Sequence, residues 1–425
     1  MLAESPSECG EPLPKSRLIA MSAFWFAINL HWGALLTIVI PAQVAALAPQ
    51  AQAQTLAKIL GLGAFLALVV TPVAGALSDR CAHRLGRRRP FIAVGTVINV
   101  LGLALMLVGS QRADLIWYAA GYLVVQLGNN IATGAYAGLI PDLVPAAQRG
   151  EASGFMAAMT QLGMVGGAMG GGLLMAAGQT TACYAIIGAT MLVLMVQTLA
   201  MVHETPIDPP AEPIHWGRMI RDMWVDPRQF PDFAWVWGTR FLVIAGIWMV
   251  QPFLLYYMRD VVGAASPETV TGYMMGIMLL GATVTGWIAG FFSDRVGRKI
   301  VVYVANGTLA VAILLLLLSH SLAFTLAIGL LFGLGYGAYY SVDWALACDV
   351  LPDQDNAGRY LGVWNIAMVL PQTLAPVIAG ELLGHFGQGA AAGRYSLEGY
   401  SVVFVLAAVS LAGGAWLLKH VKSAR

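Results

Sequence analysis

Apolar runs of about 20 residues recur along the whole chain, and they constrain its fold more than any other feature. A run of this length spans a bilayer as an α-helix. Of the 425 residues, 58% are hydrophobic and only 11% are charged, whereas about 25% are charged in a typical soluble domain. The sequence therefore predicts an all-α, polytopic membrane protein.

Twelve transmembrane helices fit these runs. They cover residues 18–47, 56–78, 91–110, 115–141, 152–177, 181–203, 232–258, 270–292, 300–319, 323–349, 358–385 and 398–419. A polar, proline-rich stretch at 204–231 separates six helices from six and predicts a cytoplasmic linker with one interfacial helix around Trp216–Trp224. We therefore expect a cytoplasmic tail at 1–17, a six-helix half at 18–203, the linker, and a second half at 232–421.

Lysine and arginine positions set the orientation, because these residues concentrate in cytoplasmic loops. With both termini inside, the inner segments hold 18 of them and the outer segments four, and Arg240 lies within a span. The sequence thus predicts a multi-pass protein of the cytoplasmic (inner) membrane. The four cysteines form no CxxC pair and predict free thiols without a metal site.

The two halves repeat each other. "GALSDR" (Gly75–Arg80) matches "GFFSDR" (Gly290–Arg295), and "PDLVP" (Pro141–Pro145) matches "CDVLP" (Cys348–Pro352). Repeats this far apart indicate two related halves, which is the architecture of many secondary transporters. Span five also contains the glycine-rich stretch "GMVGGAMGGG" (Gly163–Gly172), which predicts close helix packing.

A short charged loop, Gly75–Gly95, joins spans two and three. An aspartate at a helix end and nearby arginines can form charge-assisted hydrogen bonds that differ between two conformations. The loop is therefore either a conformational latch or only a topology signal. The predicted cytoplasmic gate comprises Asp79, Arg80, Gly86, Arg87, Arg88 and Asp142, with Asp294, Arg295, Arg298 and Asp349 in the second half.

These loop motifs resemble those of the major facilitator superfamily. The form "SDRCAHRLGRRRPFI", together with "HWGALLTIVIP" and "VVQLGNNIATG", is similar to the sucrose–proton symporters and the glycoside–pentoside–hexuronide symporters. The resemblance implies twelve helices in two pseudo-symmetric halves, alternating access, and proton-coupled uptake of a disaccharide or other glycoside such as sucrose or maltose. One departure is that Gln126 stands where the plant symporters have an aspartate regarded as the proton site, and glutamine cannot titrate.

In this superfamily spans one, four, seven and ten line the cavity. Span four carries amides and a hydroxyl on one helical face, at i, i+3, i+4 and i+7: Gln126, Asn129, Asn130 and Thr133. A shift of 207 residues maps Asn129 to Tyr336, Thr133 to Tyr340 and Tyr136 to Asp343. These groups predict either a sugar site or helix–helix hydrogen bonding. The remaining substrate candidates are Asn29, Trp32, Trp248 and Gln251.

Three ionisable residues lie within predicted spans: His31, Arg240 and Asp343. Charges inside a membrane are costly, so function is the default hypothesis. Similar depth on spans seven and ten predicts an Arg240–Asp343 pair, which is either a static ion pair or part of proton coupling. His31 is either a titrating group or a neutral hydrogen-bonding residue.

Several function classes are disfavoured. The net charge of +1 gives no sign of a nucleic-acid partner. The sequence contains no GxxxxGK[ST] motif, which would indicate ATP hydrolysis. We expect no enzymatic activity and no cofactor; the partners are a sugar, a proton and the lipid bilayer, and the protein is expected to be a monomer. The alternatives are a facilitator-type exporter of another small molecule and a non-transporting membrane sensor or assembly protein. An uncharged polar cavity favours sugars over cationic drugs.

Overall fold

The computed structural model describes residues 12–145, 148–202, 204, 217, 225–319, 321–351, 357–388 and 393–422. Twelve long helices account for most of them. They are α1 (Lys15–Leu47), α2 (Gln52–Asp79), α3 (Arg89–Gln111), α4 (Leu115–Tyr136), α5 (Arg149–Ala176), α6 (Thr180–Met201), α7 (Pro231–Asp260), α8 (Pro267–Val296), α9 (Arg298–Leu316), α10 (Leu322–Asp349), α11 (Ala357–Phe386) and α12 (Leu397–Leu418). Each predicted span falls on one of these helices, except that the fourth, 115–141, runs past the end of α4 into a separate short helix, Leu139–Leu143. The all-helical fold class is confirmed. The interfacial helix predicted around Trp216–Trp224 lies outside the described residues except for Gly217.

Within the described residues, ten of these helices are long and apolar enough to cross a membrane. The other two, α4 and α5, are 22 and 28 residues long. Helix α4 carries three amides near its middle, and α5 begins with Arg149 and is rich in glycine. Their lower hydropathy therefore comes from polar and small residues rather than from insufficient length.

Two helices contain an irregular turn beside a proline. In α1 the segment Leu35–Val39 is π-helical and precedes Pro41, and in α7 the segment Gln251–Phe253 is a 3₁₀ turn that contains Pro252. Proline has no backbone N–H to donate, so it disturbs the regular hydrogen-bond ladder at these points.

The helices form two compact units. The first contains α1 up to Ala34, α2 from Val69, α3, α4, α5 up to Gly167, and α6. The second contains α1 from Leu35, α2 up to Leu68, α5 from Ala168, and α7 to α12. Helices α1, α2 and α5 thus contribute to both units, and in α1 the boundary falls where the π-helical segment begins.

Glycines let the backbones of the first unit approach closely. A Cβ atom on Gly95 or Gly102 of α3 would lie 2.5 Å from a backbone nitrogen of α4, a distance that side-chain atoms do not tolerate. Gly163 and Gly167 of α5 likewise lie against the backbone of α1. The packing role predicted for the glycine-rich stretch is confirmed at Gly163 and Gly167, whereas Gly166 and Gly170 face open space. The α3–α4 contact fixes the position of the polar face of α4.

In the second unit, α7 is the most enclosed helix, with 78% of its most apolar window buried. It packs against α11 and α12, while α8 packs against α10. Arg240 therefore lies on a helix that other protein segments surround, and it must find its polar partners among them.

Candidate functional site

The amides of α4 form a buried hydrogen-bonded cluster in the first unit. Asn130 Nδ2 donates to the side chain of Gln126 over 2.9 Å and to its carbonyl oxygen over 2.7 Å. Asn130 Oδ1 accepts a hydrogen bond of 2.8 Å from Thr71 Oγ1 of α2. Gln126 Nε2 in turn donates to Tyr122 over 2.7 Å. Asn130 and Gln126 are therefore largely occupied by intramolecular bonds.

Asn129 differs from its neighbours because one end of its amide is free. Its Nδ2 donates over 3.4 Å to Thr133, but its Oδ1 is buried without a partner in the described part of the chain. A buried amide oxygen that lacks a hydrogen bond is costly. Asn129 Oδ1 is thus an available acceptor for a hydroxyl group.

Helix α1 contributes the remaining sequence-predicted residues of this unit. Asn29 Nδ2 donates to the Trp25 carbonyl over 2.8 Å, and Trp32 packs edge-on against His31 with ring centroids 4.4 Å apart. Both Asn29 and Trp32 are half-buried. Asn29 Nδ2 also lies 3.5 Å from Thr160 Oγ1 of α5, and Trp32 packs against the buried core of the first unit.

His31 is fully buried beside α3. Asn99 Nδ2 lies 3.2 Å from His31 Nε2 and 3.3 Å from the Val125 carbonyl oxygen. The carbonyl can only accept, which assigns Nδ2 to this position and makes His31 Nε2 an acceptor. This arrangement suits a neutral imidazole and favours the hydrogen-bonding interpretation of His31.

The second unit contains the predicted ion pair. Arg240 Nη1 of α7 contacts Asp343 Oδ2 of α10, and their side chains are only 8% and 4% exposed. The hydroxyl of Tyr339 donates to Asp343 Oδ1 over 2.9 Å. Both carboxylate oxygens therefore have a partner, as a buried charge requires.

Helix α11 supplies two contacts to Arg240 that the sequence did not indicate. The guanidinium carbon lies 4.7 Å from the ring centroid of Trp364, and Nη2 lies 3.4 Å from Met368 Sδ. Trp364 is one of twelve tryptophans, and no local pattern separates it from the others.

The tyrosines of α10 form an aromatic row beside this pair. Tyr336 and Tyr340 are hydrogen-bonded and have ring centroids 4.4 Å apart. Trp248 is half-buried in α7, and Gln251 lines an otherwise apolar cavity with Met274 and Phe332. The other residues that line this cavity are apolar, whereas we had expected polar neighbours for Gln251 as a sugar-binding residue.

The α2–α3 loop forms a cluster of charge-assisted hydrogen bonds, which we call the loop cluster: Asp79, Arg87, Arg88, Asp142 and Glu204. Asp142 accepts from Arg87 over 2.5 Å and from Arg88 over 3.0 Å, and Arg88 also contacts Asp79. Glu204, which the sequence analysis did not select, accepts from the backbone N–H of Arg88 over 3.0 Å.

Gly86 and Gly297 occupy equivalent positions in the two repeats. Their φ angles are +98° and +104°, values that favour glycine because it lacks a Cβ. Each is followed by an arginine that pairs with the repeated aspartate: Arg87 with Asp142, and Arg298 with Asp349 over 2.7 Å.

The other predicted gate residues have less defined roles. Arg80 is half-buried at the C-terminal end of α2, and Arg295 is exposed. The side chain of Asp294 lies outside the described residues. The second copy of the gate is therefore represented by Arg298 and Asp349.

A second polar cluster at the C-terminal end of α7 was missed by the sequence analysis. We call it the α7-end cluster: Gln52, Arg259, Asp260, Gly393, Tyr395 and Tyr400. The side chain of Asp260 is fully buried; Oδ1 accepts from Arg259 over 2.7 Å, and Oδ2 accepts from Tyr400 over 2.9 Å. The adjacent Arg-Asp pair at the end of a predicted span was the only sequence signal for it.

Arg259 connects this cluster to the start of α2. It donates to Gln52 Oε1 over 3.0 Å and to the carbonyl oxygen of Gly393 over 2.9 Å. The Tyr395 hydroxyl accepts from the backbone N–H of Ala53 over 2.9 Å, and burial raises the pKa of this hydroxyl above its usual value. Tyr395 therefore stays a neutral partner at physiological pH.

With this geometry established, comparison with known proteins decides the family. The family described as MFS/sugar transport protein matches residues 21–419. The chain belongs to this family. It is 24% identical to the sucrose transport protein SUC4 of Arabidopsis thaliana, over 88% of this chain and 86% of that protein. It is 28% identical to the human proton-associated sugar transporter A over 35% of this chain and 22% of that protein.

Solved structures support the same fold for this MFS protein. The nucleoside transporter NupG covers 95% of the chain, and 99% of NupG is matched, with a TM-score of 0.73 and 12% sequence identity. At that identity the likeness shows the major facilitator fold alone. Within this fold, the amides of α4 offer neutral donors and acceptors, and the second unit offers the Arg240–Asp343 pair and the Tyr336–Tyr340 rings.

Proposed function

We propose that the protein is a proton-coupled sugar transporter of the cytoplasmic membrane, with both termini in the cytoplasm, that takes up a disaccharide or other glycoside by alternating access. Sucrose and maltose are the first substrates to test. One observation carries the proposal: of two repeat-equivalent helices, α4 holds a neutral amide cluster, and α10 holds Asp343, which forms a buried pair with Arg240 of α7. The names of the Arabidopsis and human relatives support both the sugar and the proton.

Sugar binding is assigned to uncharged groups. Hydroxyl groups need both donors and acceptors, and an amide offers both without adding charge. Asn129 Oδ1 accepts a sugar hydroxyl because it has no intramolecular partner in the described residues. Considered by itself, the second unit also presents neutral groups: the Tyr336–Tyr340 row has ring faces and hydroxyls of the kind that suit a pyranose.

Proton coupling is assigned to Asp343. The plant symporters' acid position holds Gln126, which cannot titrate. Asp343 is a buried carboxylate whose charge is held by Arg240 and Tyr339. If its distance from Arg240 changes during transport, its proton affinity changes as well, which a proton carrier requires.

Alternating access is assigned to the two end clusters. In this proposal the loop cluster closes the cytoplasmic side and the α7-end cluster closes the outer side. Their members sit at opposite ends of α2, with Asp79 at its C-terminal end and Gln52 at its N-terminal end. Ion pairs and hydrogen bonds of this kind can be made in one state and broken in the other. The protein acts as a monomer in this scheme.

The test is uptake of radiolabelled sugars into proteoliposomes that contain the purified protein. The panel includes sucrose, maltose and a monosaccharide, each with and without an inwardly directed proton gradient. We expect accumulation of a disaccharide above its external concentration only with the gradient. Equilibration without accumulation would show a facilitator, and no uptake of any sugar would contradict the proposal.

A further inference from the structure

Trp364 is an unusual buried tryptophan. It is 1% exposed, and its indole Nε1–H has no hydrogen-bond partner among the described residues. Buried tryptophans usually find a partner for this group, and leaving it unsatisfied is unfavourable. A phenylalanine would avoid that cost at the same place. What the indole offers over phenylalanine is a ring face that attracts cations more strongly.

That ring face lies against the buried charge of the proposed coupling site. The Arg240 guanidinium carbon is 4.7 Å from the Trp364 centroid, within the range of a cation–π contact. Arg240 is 6% exposed and its Nε has no partner in the described part of the chain. Water therefore contributes little to holding this cation, and its two strongest partners are Asp343 and Trp364.

Among the described residues, the groups around the Arg240–Asp343 pair come from three helices. Helix α7 supplies Arg240, and α10 supplies Asp343 and Tyr339 along with the nearby hydroxyls of Tyr336 and Tyr340. Helix α11 supplies Trp364 and Met368, which do not titrate. When the carboxylate accepts a proton, one O–H bond forms and the pair changes from neutral to a single positive charge. Arg240 then loses its counterion while it is still buried.

We propose that Trp364 is a positioning residue for proton coupling, whose indole face stabilises the Arg240 guanidinium while Asp343 is protonated. The inference rests on the proposed function, because it requires Asp343 to bind the proton. The ring attracts the guanidinium most when the nearby carboxylate has lost its charge. Trp364 thus makes protonation of Asp343 easier without taking up the proton itself.

The test measures protonation directly and needs no sugar. Full-length protein in lipid nanodiscs is titrated between acid and alkaline pH, and infrared difference spectra follow the C=O stretch of protonated carboxyl groups. The Asp343→Asn variant identifies which part of that signal belongs to Asp343. The midpoint of the signal is then compared in wild type, Trp364→Phe and Trp364→Leu. Phe24→Leu, a fully buried aromatic of the other compact unit, serves as the packing control.

We expect Trp364→Leu to move the midpoint to more acidic pH by about one unit, from the strength of a desolvated cation–π contact. Trp364→Phe moves it less and in the same direction, and Phe24→Leu leaves it unchanged. A wild-type midpoint in Trp364→Leu overturns the role of Trp364 while leaving Asp343 as the proton carrier. If Trp364→Leu does not fold, a wild-type midpoint in Trp364→Phe overturns the role of Trp364 instead. Absence of any signal sensitive to Asp343→Asn overturns the proton role of Asp343 itself.

Discussion

Helices α4 and α10 occupy the same place in the two repeats, yet their chemistry differs. Position 136 in α4 is a tyrosine whose hydroxyl donates over 2.5 Å to the Met21 carbonyl oxygen. The equivalent residue of α10 is Asp343, which pairs with Arg240. One helix turn earlier, Thr133 corresponds to Tyr340. At these equivalent positions the first repeat is thus uncharged, whereas the second repeat holds both members of the Arg240–Asp343 pair.

This difference indicates how a duplicated scaffold can divide two tasks. A charge inside the membrane is costly, so it is retained where it has a function. Amides suit a neutral polyol in either conformational state, whereas a carboxylate can gain and lose a proton. In our account α4 binds sugar and α10 couples the proton.

The largest effect on the proposed division between α4 and α10 is expected when the charge of Asp343 is removed. We expect Asp343→Asn to abolish accumulation of sugar against a gradient, because the amide cannot bind a proton. Exchange of labelled for unlabelled sugar, which needs no net proton movement, should continue. Both are measured in proteoliposomes.

Two controls sharpen that experiment. Asp343→Asn leaves Arg240 buried without a counterion, which can destabilise a protein by about 3–5 kcal/mol, so the double variant Arg240→Gln, Asp343→Asn is measured beside it. His31→Gln should keep its coupling because His31 Nε2 accepts a hydrogen bond from Asn99. Accumulation by Asp343→Asn would make the ion pair structural.

The next largest effect is expected in the first repeat. Asn129→Ala and Asn130→Ala should each weaken sugar binding by about 1–3 kcal/mol, roughly 5- to 150-fold in Kd. Asn130→Ala should also lower stability because it removes the bonds to Thr71 and Gln126. Asn129→Ala should lower stability less, because it removes only the 3.4 Å bond from Nδ2 to Thr133 and the Oδ1 atom has no partner among the described residues.

Affinity is measured by isothermal titration with the sugar that the wild type transports, and stability by thermal unfolding. Thr190→Ala, a half-buried position on α6 whose hydroxyl bonds only to the carbonyl oxygen of Ile186 among the described residues, is the matched control. Unchanged affinity in both asparagine variants, with folded protein, would remove α4 from the binding site.

A several-fold effect is expected at the loop cluster. Asp79→Asn weakens one contact of Arg88, whereas Asp142→Asn weakens contacts with both Arg87 and Arg88. We expect both to favour the state open to the cytoplasm, and Asp142→Asn to do so more.

Cys81 is a native probe for this change, since it follows Asp79 by two residues and is half-buried. Its rate of labelling by a thiol reagent, with the other three cysteines replaced by serine, should rise in the order wild type, Asp79→Asn, Asp142→Asn. Equal rates in all three would leave the loop as a topology signal.

The smallest effect is expected at Tyr136, the neutral residue of the first repeat that corresponds to Asp343 in the second. Tyr136→Phe removes the hydrogen bond to the Met21 carbonyl and should cost about 1 kcal/mol of unfolding free energy. Proton-driven accumulation should be unchanged, because Tyr136 takes no part in coupling. A loss of coupling in Tyr136→Phe would show that the two repeats do not divide their tasks as we describe.

The sequence predicted those features that depend on local pattern. Apolar runs located all twelve helices, and depth counted along spans seven and ten predicted the Arg240–Asp343 pair. The repeated motifs aligned Arg87–Asp142 with Arg298–Asp349. Each of these follows from periodicity or repetition, which a single chain displays directly.

Features that join distant segments were not predicted. Arg259 donates to Gln52 and to Gly393, which lie far from it and from each other in the chain. Trp364 lacks a local signature, and its contact with Arg240 depends on how α7 and α11 pack. Glu204 falls at the edge of the linker and looks like an ordinary polar residue.

The most direct test of the claim that α4 binds sugar and α10 couples the proton is sugar-driven proton movement in proteoliposomes. A sugar gradient is imposed without a pH gradient, and a pH-sensitive dye reports protons while labelled sugar is counted. We predict that wild type moves protons with sugar, Asp343→Asn moves sugar without protons, and Asn129→Ala moves less of both in an unchanged ratio. Protons that still accompany sugar in Asp343→Asn would contradict the account.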